Sequence, residues 1–413
     1  MFDPDAISIA DYNYPLPAEL IAQFPLTDRD ASKILIYNNG LISQDIFSNI
    51  DRHLPGNSLL VFNDTKVIRA RIIFSKSTGA LIEIFCLEPM APTTEIQAAF
   101  HQQSASTWKC LVGNLKRWKN DQLVHEYMHQ DLRLQLFAKY AGACGDGSHA
   151  IEFHWDPPEK SFSEILELTG LIPLPPYIHR PTESSDTERY QTIYATHEGS
   201  VAAPTAGLHF SDSVLRKLAM KGIISDKVTL HVGVGTFKPV TTKRITDHVM
   251  HHEKIVVSKQ TIVWLLNNLQ RPVFAVGTTS ARTLESLYWL GVKLIRDGLG
   301  QKPVVSQWDP YQGNELNIIK PEQSLEALLR FLDIRGLQEY SGETQLMIVP
   351  GYRFGLLSGL ITNFHIPQST LLLLVAAMVG EDWKRAYYFA LSNGFRFLSY
   401  GDSCLFFNPV KFK

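Results

Sequence analysis

The sequence has few cysteines, and their spacing excludes two common kinds of cross-link. Its 413 residues include only four cysteines, which lie far apart and form no C-x-x-C pair. Such spacing argues against a disulfide framework and against a zinc site. We therefore expect no metal site and a reducing, cytoplasmic environment.

A large excess of one charge and a long apolar run are also missing. The formal net charge of −2 argues against a protein that is basic over its whole surface and binds nucleic acid by bulk electrostatics. The most apolar stretch, residues 371–379, is far shorter than the roughly 20 residues of a membrane-spanning helix. It predicts a buried helix and no membrane partner. Any contact with nucleic acid must then come from a local patch.

The apolar patterns divide the chain into two kinds of segment. The chain has 413 residues, of which 45% are hydrophobic. This length exceeds the usual size of one domain. Residues 66–154 contain short β-type runs separated by Gly, Asp, Asn and Ser turns, which is typical of a small β-barrel or sandwich. Beyond them, helical patterns alternate with strand-like ones, which indicates an α/β domain. The prediction is an α/β fold, with an α/β main domain of residues 1–65 and 155–413 and a smaller inserted β-barrel-like domain of residues 66–154.

Local helix signals follow the barrel-like segment. Ser161 and Glu164 have the spacing of a capping box, and Gly170 is a stop signal, so a helix is predicted between them. A second helix is predicted to begin after Ser211 and to end before Gly222.

Five short runs place hydroxyl, imidazole, amide or carboxyl side chains where a strand, a turn and a helix meet. They are VAAPTAGLHF (201–210), LHVGVGTFKPV (230–240), VGTTSARTLE (276–285), LITNFHIPQST (360–370) and RFLSYGDSCLF (396–406). Because ligands gather at the carboxyl ends of strands in α/β sheets, we expect these runs to converge on one cleft.

Each run also has a purely structural interpretation. A histidine is often a satisfied core residue, a Ser/Thr pair is often an ordinary helix N-cap, and an aspartate after glycine is often a turn-former. The G-x-G at 233–235 lacks the third glycine of a dinucleotide-binding fingerprint, so a β-turn is favoured there. The third run is the best candidate for an anion site, because a helix N-terminus offers free N–H groups and Arg282 adds a forked donor.

In their order along the chain, the five runs resemble the motifs of the S-adenosylmethionine:tRNA ribosyltransferase-isomerase family. The resemblance extends from about Tyr12 to Phe406 and includes YNYPLPAELIAQFPLTDRDASKIL, VFNDTKVIRARI, IPLPPYIHRP, DTERYQTIYA, MHHEK and VPGYRF. It implies that the ribosyl group of S-adenosylmethionine is transferred to 7-aminomethyl-7-deazaguanine at the tRNA wobble position and isomerised, which forms epoxyqueuosine and releases adenine and methionine. S-adenosylmethionine is then a co-substrate, no cofactor is needed, and we expect a monomer.

Roles within these runs are assigned by residue type. The expected acid/base groups are His209, His231 and His365, because imidazole exchanges protons near neutral pH, and Asp402 is expected to orient a base or to face the sulfonium. The expected substrate contacts are Thr205, Phe210, Thr236, Thr278, Thr279, Arg282, Glu285, Tyr352, Asn363 and Tyr400. Among them, the methionine carboxylate is assigned to Thr278, Thr279 and Arg282, and the cation or adenine to Tyr352 and Phe210.

Two basic clusters are the expected tRNA contacts. They comprise Lys66, Arg69, Arg71, Lys116 and Arg117, and the second cluster lies beside Trp108 and Trp118. Basic residues interleaved with aromatic ones neutralise phosphates and stack unpaired bases. The alternative is a solvated face of basic residues over two core tryptophans.

Two other functions stay open. An S-adenosylmethionine-dependent RNA methyltransferase is expected to carry a glycine-rich loop after its first strand and an acidic residue at the end of its second, and this layout is not found. A non-catalytic RNA-binding module favours aromatic and basic residues over clustered His, Asn, Thr and Asp.

Overall fold

The computed structural model describes residues 4–118, 121–129, 132–233, 240–242, 244–312 and 319–412. The strands are β1 Lys33–Asn38, β2 Leu41–Ile46, β3 Leu59–Asn63, β4 Thr65–Val67, β5 Arg71–Ser75, β6 Leu81–Ala91, β7 Ala105–Gly113, β8 Leu123–His129, β9 Leu132–Ala143, β10 His149–Asp156, β11 Gly170–Leu171, β12 His197–Ser200, β13 Ile224–His231, β14 Glu253–Ser258, β15 Val273–Val276, β16 Glu339–Thr344, β17 Gly359–Asn363 and β18 Ser403–Phe407.

Helices of very different lengths connect these strands. The α-helices are α1 Ile50–His53, α2 Ile96–Phe100, α3 Phe162–Thr169, α4 Asp186–Arg189, α5 Asp212–Met220, α6 Lys259–Asn267, α7 Thr278–Asp297, α8 Pro321–Ile334, α9 Thr370–Val379 and α10 Asp382–Ser392. Short 3₁₀ turns include Arg29–Ala31 and Thr205–His209. In the described ranges, no helix is both long and apolar enough to cross a bilayer.

A nine-stranded mixed sheet forms the centre of the larger body. Its order is β16-β14-β13-β3-β15-β17-β18-β1-β2, and β13, β3, β15 and β17 run parallel to one another. Every residue of β3, β15, β17 and β18 is buried. Strands covered on both faces read as short continuous apolar runs, which is how they appear in the sequence.

Two apolar cores cover the opposite faces of this sheet. In β3, Leu59 and Val61 belong to one core, while Leu60 and Phe62 belong to the other. Successive side chains of a strand point to opposite faces, so the two cores are separated by the sheet itself. Helices α6 to α10 supply the first core, and α1 and α5 supply the second.

A second, antiparallel sheet has a core of its own. Its order is β11-β5-β6-β7-β10-β9-β8, and it curls so that Nδ1 of His125 in β8 lies 3.0 Å from the carbonyl oxygen of Ile73 in β5. Trp108, Phe153 and Phe162 pack inside the curl. An α/β fold with a barrel-like second body is therefore confirmed. Because α3 and β11 also join this body, the precise edges of an inserted domain stay a prediction.

The local helix predictions are confirmed. Ser161 caps α3: its hydroxyl accepts the Glu164 N–H at 3.4 Å, and the Glu164 carboxylate accepts the Ser161 N–H at 2.8 Å. Gly170 follows the last helical residue. Ser211 caps α5 with its hydroxyl, which accepts the Val214 N–H at 3.3 Å, and the apolar stretch 371–379 lies within the buried helix α9.

Candidate active site

All five polar runs contribute residues to one cleft at the carboxyl ends of β15 and β17. These strands are parallel neighbours, so both end at the same edge of the sheet. The free space at this cleft, with its open solvent side included, is about 640 Å³. Its lining consists of Tyr177, residues 202–206, Val232, residues 277–279, residues 362–366, Ser369, Leu371, Leu398 and Ser399. The runs around Thr205, Thr278 and Asn363 thus come together although they lie far apart in sequence.

The N-terminus of the 20-residue helix α7 faces this cleft. Gly277 precedes it with φ +92°, a left-handed conformation that favours glycine. The first intrahelical bond joins the Ala281 N–H to the Gly277 carbonyl at 3.1 Å. The N–H groups of Thr278 and Thr279 precede it and therefore have no intrahelical acceptor, which makes this end of the helix suited to a carboxylate.

His365 is the predicted acid/base residue that lines the cleft. Its Nε2 lies 3.0 Å from Oγ1 of Thr362, and in the described part of the chain Nδ1 has no hydrogen-bond partner. The main chain of His365 is held on both sides, by the hydroxyls of Tyr387 at 3.1 Å and Tyr14 at 2.5 Å. Burial lowers the pKa of His365 to about 3, so the imidazole is neutral at pH 7.

His209 lies behind the cleft. Its Nε2 accepts a hydrogen bond of 3.0 Å from Nδ2 of Asn363, so Nδ1 carries the proton and donates to Oγ of Ser32 at 2.8 Å. Burial, followed by the positive charges of Arg396 and Arg29, lowers the pKa of His209 to about 3. Both ring nitrogens are engaged, so this histidine orients Asn363 and does not itself reach the cleft.

His231 itself faces a different cavity, although its run reaches the cleft through the next residue. Nδ1 of His231 lies 3.0 Å from Oγ1 of Thr65, while the next residue, Val232, lines the cleft. Adjacent residues of extended chain point in opposite directions, which separates the two side chains. The second cavity is also lined by Asp64 and Lys254. Burial lowers the pKa of His231 to about 4.

Similarity to known proteins shows the family to which this chain belongs. The family model described as queuosine biosynthesis protein matches residues 9–406. This chain belongs to the queuosine biosynthesis protein family. The resemblance inferred from the ordered motifs is confirmed.

Relatives of this family that are named S-adenosylmethionine:tRNA ribosyltransferase-isomerase match nearly the whole chain. The protein of Pelobacter propionicus is 36% identical and covers 96% of this chain and 98% of its own. That of Thermotoga petrophila is 37% identical, over 97% and 99%. The solved structure of the S-adenosylmethionine tRNA ribosyltransferase of Thermotoga maritima is 28% identical, over 96% and 99%, with a TM-score of 0.44.

Asp402 stabilises a turn and does not line the cleft. Its carboxylate accepts the main-chain N–H groups of Lys33 at 2.9 Å and Arg396 at 2.8 Å. Burial raises the pKa of Asp402. The structural interpretation of this aspartate is therefore the correct one, because its acceptors are already used by the backbone.

Arg282 and Glu285 lie one and two turns further along α7 than the threonines of the cleft, and they do not line it. The Arg282 guanidinium donates to the Glu253 carboxylate and, at 3.2 Å, to the Leu346 carbonyl. The Glu285 carboxylate accepts the Tyr352 hydroxyl at 2.8 Å and the three N–H groups of residues 355–357. Arg282, Glu285 and Tyr352 therefore do not line this cleft, and their polar groups are bonded to other parts of the protein.

The remaining predicted contacts are divided between cleft, core and other cavities. Thr205 lines the cleft. Phe210 packs in the apolar core, with its ring centroid 5.0 Å from that of Phe47, so it does not face a substrate. The Tyr400 hydroxyl donates to Asp186 at 2.8 Å and is likewise not in the cleft. Thr236 lies outside the described residues.

The structure adds cleft residues that the sequence patterns did not single out. The Tyr177 hydroxyl lies 2.6 Å from Oγ of Ser399, and both line the cleft with Thr362 and Ser369. Thr362 and Ser369 lie just before and just after the segment from Asn363 to His365, so their position in the sequence could have identified them as cleft residues. Tyr177 approaches from a proline-rich loop across 222 residues of sequence, and no local pattern indicates that contact.

The first predicted RNA cluster is largely neutralised. Lys66 pairs with Glu198 at 2.8 Å, Arg71 pairs with Glu83 at 2.5 Å, and Arg69 donates to a main-chain carbonyl at 2.6 Å. Charges that face carboxylates offer little attraction to phosphates, so Lys66 and Arg71 are poor candidates for RNA contacts.

In the second predicted RNA cluster, the aromatic residues belong to the core and not to the surface. Trp108 and Trp118 are buried, and their indole N–H groups donate within the protein. Core tryptophans cannot stack on bases, so the alternative interpretation of these two residues is correct. Lys116 and Arg117 are exposed. Their contact with tRNA stays a prediction.

Proposed function

We propose that this protein transfers the ribosyl group of S-adenosylmethionine to 7-aminomethyl-7-deazaguanine at the wobble position of tRNA, isomerises it to the epoxycyclopentane of epoxyqueuosine, and releases adenine and methionine. The observation that carries the proposal is the family match over residues 9–406, together with relatives of that name at 36–37% identity over 96–97% of the chain. The cleft at the ends of β15 and β17 is the proposed reaction site.

The proposed position of the methionine carboxylate is the N-terminus of α7. The free N–H groups of Thr278 and Thr279, the hydroxyl of Thr205 and the positive end of the helix dipole support this assignment. Arg282 takes no part in it. The Tyr177 ring is the proposed neighbour of the sulfonium, because a tyrosine face attracts a cation.

The proposed proton-transfer group is His365. The reaction has to deprotonate a carbon that the adjacent sulfonium makes acidic, and it has to hydrogen-bond the departing adenine. A neutral imidazole with an uncommitted Nδ1 has a lone pair for the first task or an N–H for the second, according to its tautomer. The apolar side chains of Phe364, Ile366, Leu371 and Leu398 line the same cleft and help to exclude water.

The test is product analysis with defined substrates. The purified protein is incubated with S-adenosylmethionine and a tRNA that carries 7-aminomethyl-7-deazaguanine, and adenine, methionine and the tRNA nucleosides are quantified by mass spectrometry. Stoichiometric release of adenine and methionine with gain of the epoxycyclopentane is expected. Release of S-adenosylhomocysteine with a methylated RNA would instead identify a methyltransferase. Tight tRNA binding without any turnover would identify an RNA-binding module.

A further inference from the structure

A small cavity on the far side of His209 from the cleft has a strongly basic lining. It is lined by Arg29, Arg189 and Arg396, which come from three distant parts of the chain, and it opens to solvent. We call it the arginine cavity. Ser399 lines both the cleft and the arginine cavity, so the two are direct neighbours.

None of the three arginines forms a salt bridge within the described part of the chain. Arg29 donates to the carbonyls of Gln191 at 2.6 Å and Glu188 at 2.8 Å. Arg189 donates to the Thr27 carbonyl at 2.8 Å and to the Leu26 carbonyl, and its Nε is buried with no hydrogen-bond partner among the described residues. Arg396 donates to the Tyr400 carbonyl at 2.9 Å. Neutral carbonyls fix the positions of the guanidinium groups. The nearest carboxylates, Glu188 for Arg29 and Asp402 for Arg396, act on them only at longer range than a salt bridge.

The carboxylates near the cavity are mostly committed elsewhere. Asp402 accepts main-chain N–H groups, as described above, and Asp186 is held by Arg180 at 2.7 Å and by the Tyr400 hydroxyl. Glu188 is exposed to solvent. Partly buried charges are usually paired, so three unpaired guanidinium groups around one cavity indicate a missing anion.

We propose that the arginine cavity is a phosphate subsite, which holds a backbone phosphodiester of the tRNA beside the nucleotide that reacts in the cleft. This inference rests on the proposed function. Guanidinium forks match the oxygens of a phosphate, and unpaired loop nucleotides are recognised by base pockets with phosphate contacts beside them. Ser399 lines both, and His209 of the arginine cavity is hydrogen-bonded to Asn363 of the cleft, so a nucleotide whose base enters the cleft keeps its own phosphates close to the arginines.

The decisive experiment neutralises one phosphate of the RNA and one arginine of the protein, separately and together. Binding is measured for an anticodon stem-loop that carries 7-aminomethyl-7-deazaguanine, and for stem-loops in which one linkage beside that nucleotide is an uncharged methylphosphonate. The proteins are wild type, Arg396→Gln, Arg29→Gln and the matched control Arg330→Gln, which removes an exposed guanidinium on α8. Thermal unfolding of each variant shows whether it is folded, and Arg396→Lys keeps the charge should Arg396→Gln fail to fold.

One methylphosphonate is expected to weaken binding to the wild type by about 10-fold, since a charge-assisted contact is lost. Arg396→Gln should bind the unmodified RNA about 10-fold more weakly than the wild type does. Its affinity for the methylphosphonate RNA should be only slightly lower again, because both changes remove the same contact. The slope of log affinity against log salt should fall by about 0.7 in this variant. Arg330→Gln should behave as the wild type, and S-adenosylmethionine affinity should be unchanged throughout.

Two results would overturn the subsite. Equal losses in wild type and Arg396→Gln for every neutralised linkage would show that this arginine and the phosphates act independently. A loss of S-adenosylmethionine affinity with unchanged RNA affinity would assign the cavity to the methionine carboxylate. Failure of the proposed function is a separate outcome, namely no release of adenine by the wild type with the unmodified stem-loop, whatever the binding data show.

Discussion

Nδ2 of Asn363 donates a hydrogen bond of 3.0 Å to Nε2 of His209, and this contact divides the cleft from the arginine cavity. The pair joins residues 154 positions apart. It fixes the tautomer of His209 and leaves Oδ1 of Asn363 buried without a partner in the described part of the chain. A buried acceptor of this kind is suited to a donor that arrives with the substrate.

His365 and His209 are expected to respond differently to replacement by alanine. His365→Ala should lower kcat by about 10²–10⁴-fold, because proton-transfer assistance is lost. His209→Ala should mainly lower the free energy of unfolding, by about 1–3 kcal/mol, because Ser32 and Asn363 lose a buried partner. Turnover and urea unfolding are measured for both, with the exposed His179→Ala as control. Near-normal turnover of His365→Ala would remove imidazole chemistry from this position.

Folding stability is expected to fall between pH 6.5 and pH 5. In the folded protein the pKa is about 3 for His209 and His365 and about 4 for His231, against 6.5 for an ordinary histidine. The unfolded chain then binds more protons in this window, so stability rises with pH and is complete above pH 6.5. Each histidine contributes up to about 1.4 kcal/mol per pH unit. The free energy of unfolding, measured with urea, should depend less steeply on pH for His209→Gln than for the wild type. An unchanged slope would contradict the low pKa assigned to His209.

Arg282 is expected to act on folding and not on substrate binding. Arg282→Leu leaves Glu253 buried without its main cation and should cost about 3–5 kcal/mol of stability. Adding Glu253→Gln should restore part of that loss. Chemical unfolding and S-adenosylmethionine binding are measured, with Lys384→Gln, from an exposed pair, as the control that changes little. Wild-type stability combined with weak S-adenosylmethionine binding would restore Arg282 as a substrate contact.

Gly277 is expected to tolerate no side chain, although there is space for one. A Cβ there would meet Thr279 and Ala206 only at 3.5 and 3.8 Å, but the φ of +92° is unfavourable for any L-residue. Gly277→Ala should lower stability by about 1–3 kcal/mol and weaken S-adenosylmethionine binding, since the first amides of α7 must move. Gly300→Ala, at an exposed position with an ordinary φ, is the matched control. Unchanged calorimetric affinity for Gly277→Ala would argue against the α7 terminus as the carboxylate site.

Features with local causes were predictable from the sequence. The Ser161–Glu164 box, the Gly170 stop and the apolar helix α9 depend on residues within a few positions of each other, and all three are confirmed. The ordered motifs identified the family over nearly the whole chain. The meeting of Thr205, Thr278 and Asn363 followed from a general property of α/β sheets, namely that strand ends gather at one edge.

The direction of each side chain was decided by tertiary structure alone. His231 turns away from the cleft because of its phase along an extended segment, and Arg282 pairs with Glu253, 29 residues earlier in the chain, instead of lining the cleft. Tyr177 enters the cleft from a remote loop, and three arginines assemble a basic cavity from positions 29, 189 and 396. A sequence pattern specifies which residues can take part in chemistry, but only packing between distant segments determines which buried partners satisfy them and which are left free for a ligand.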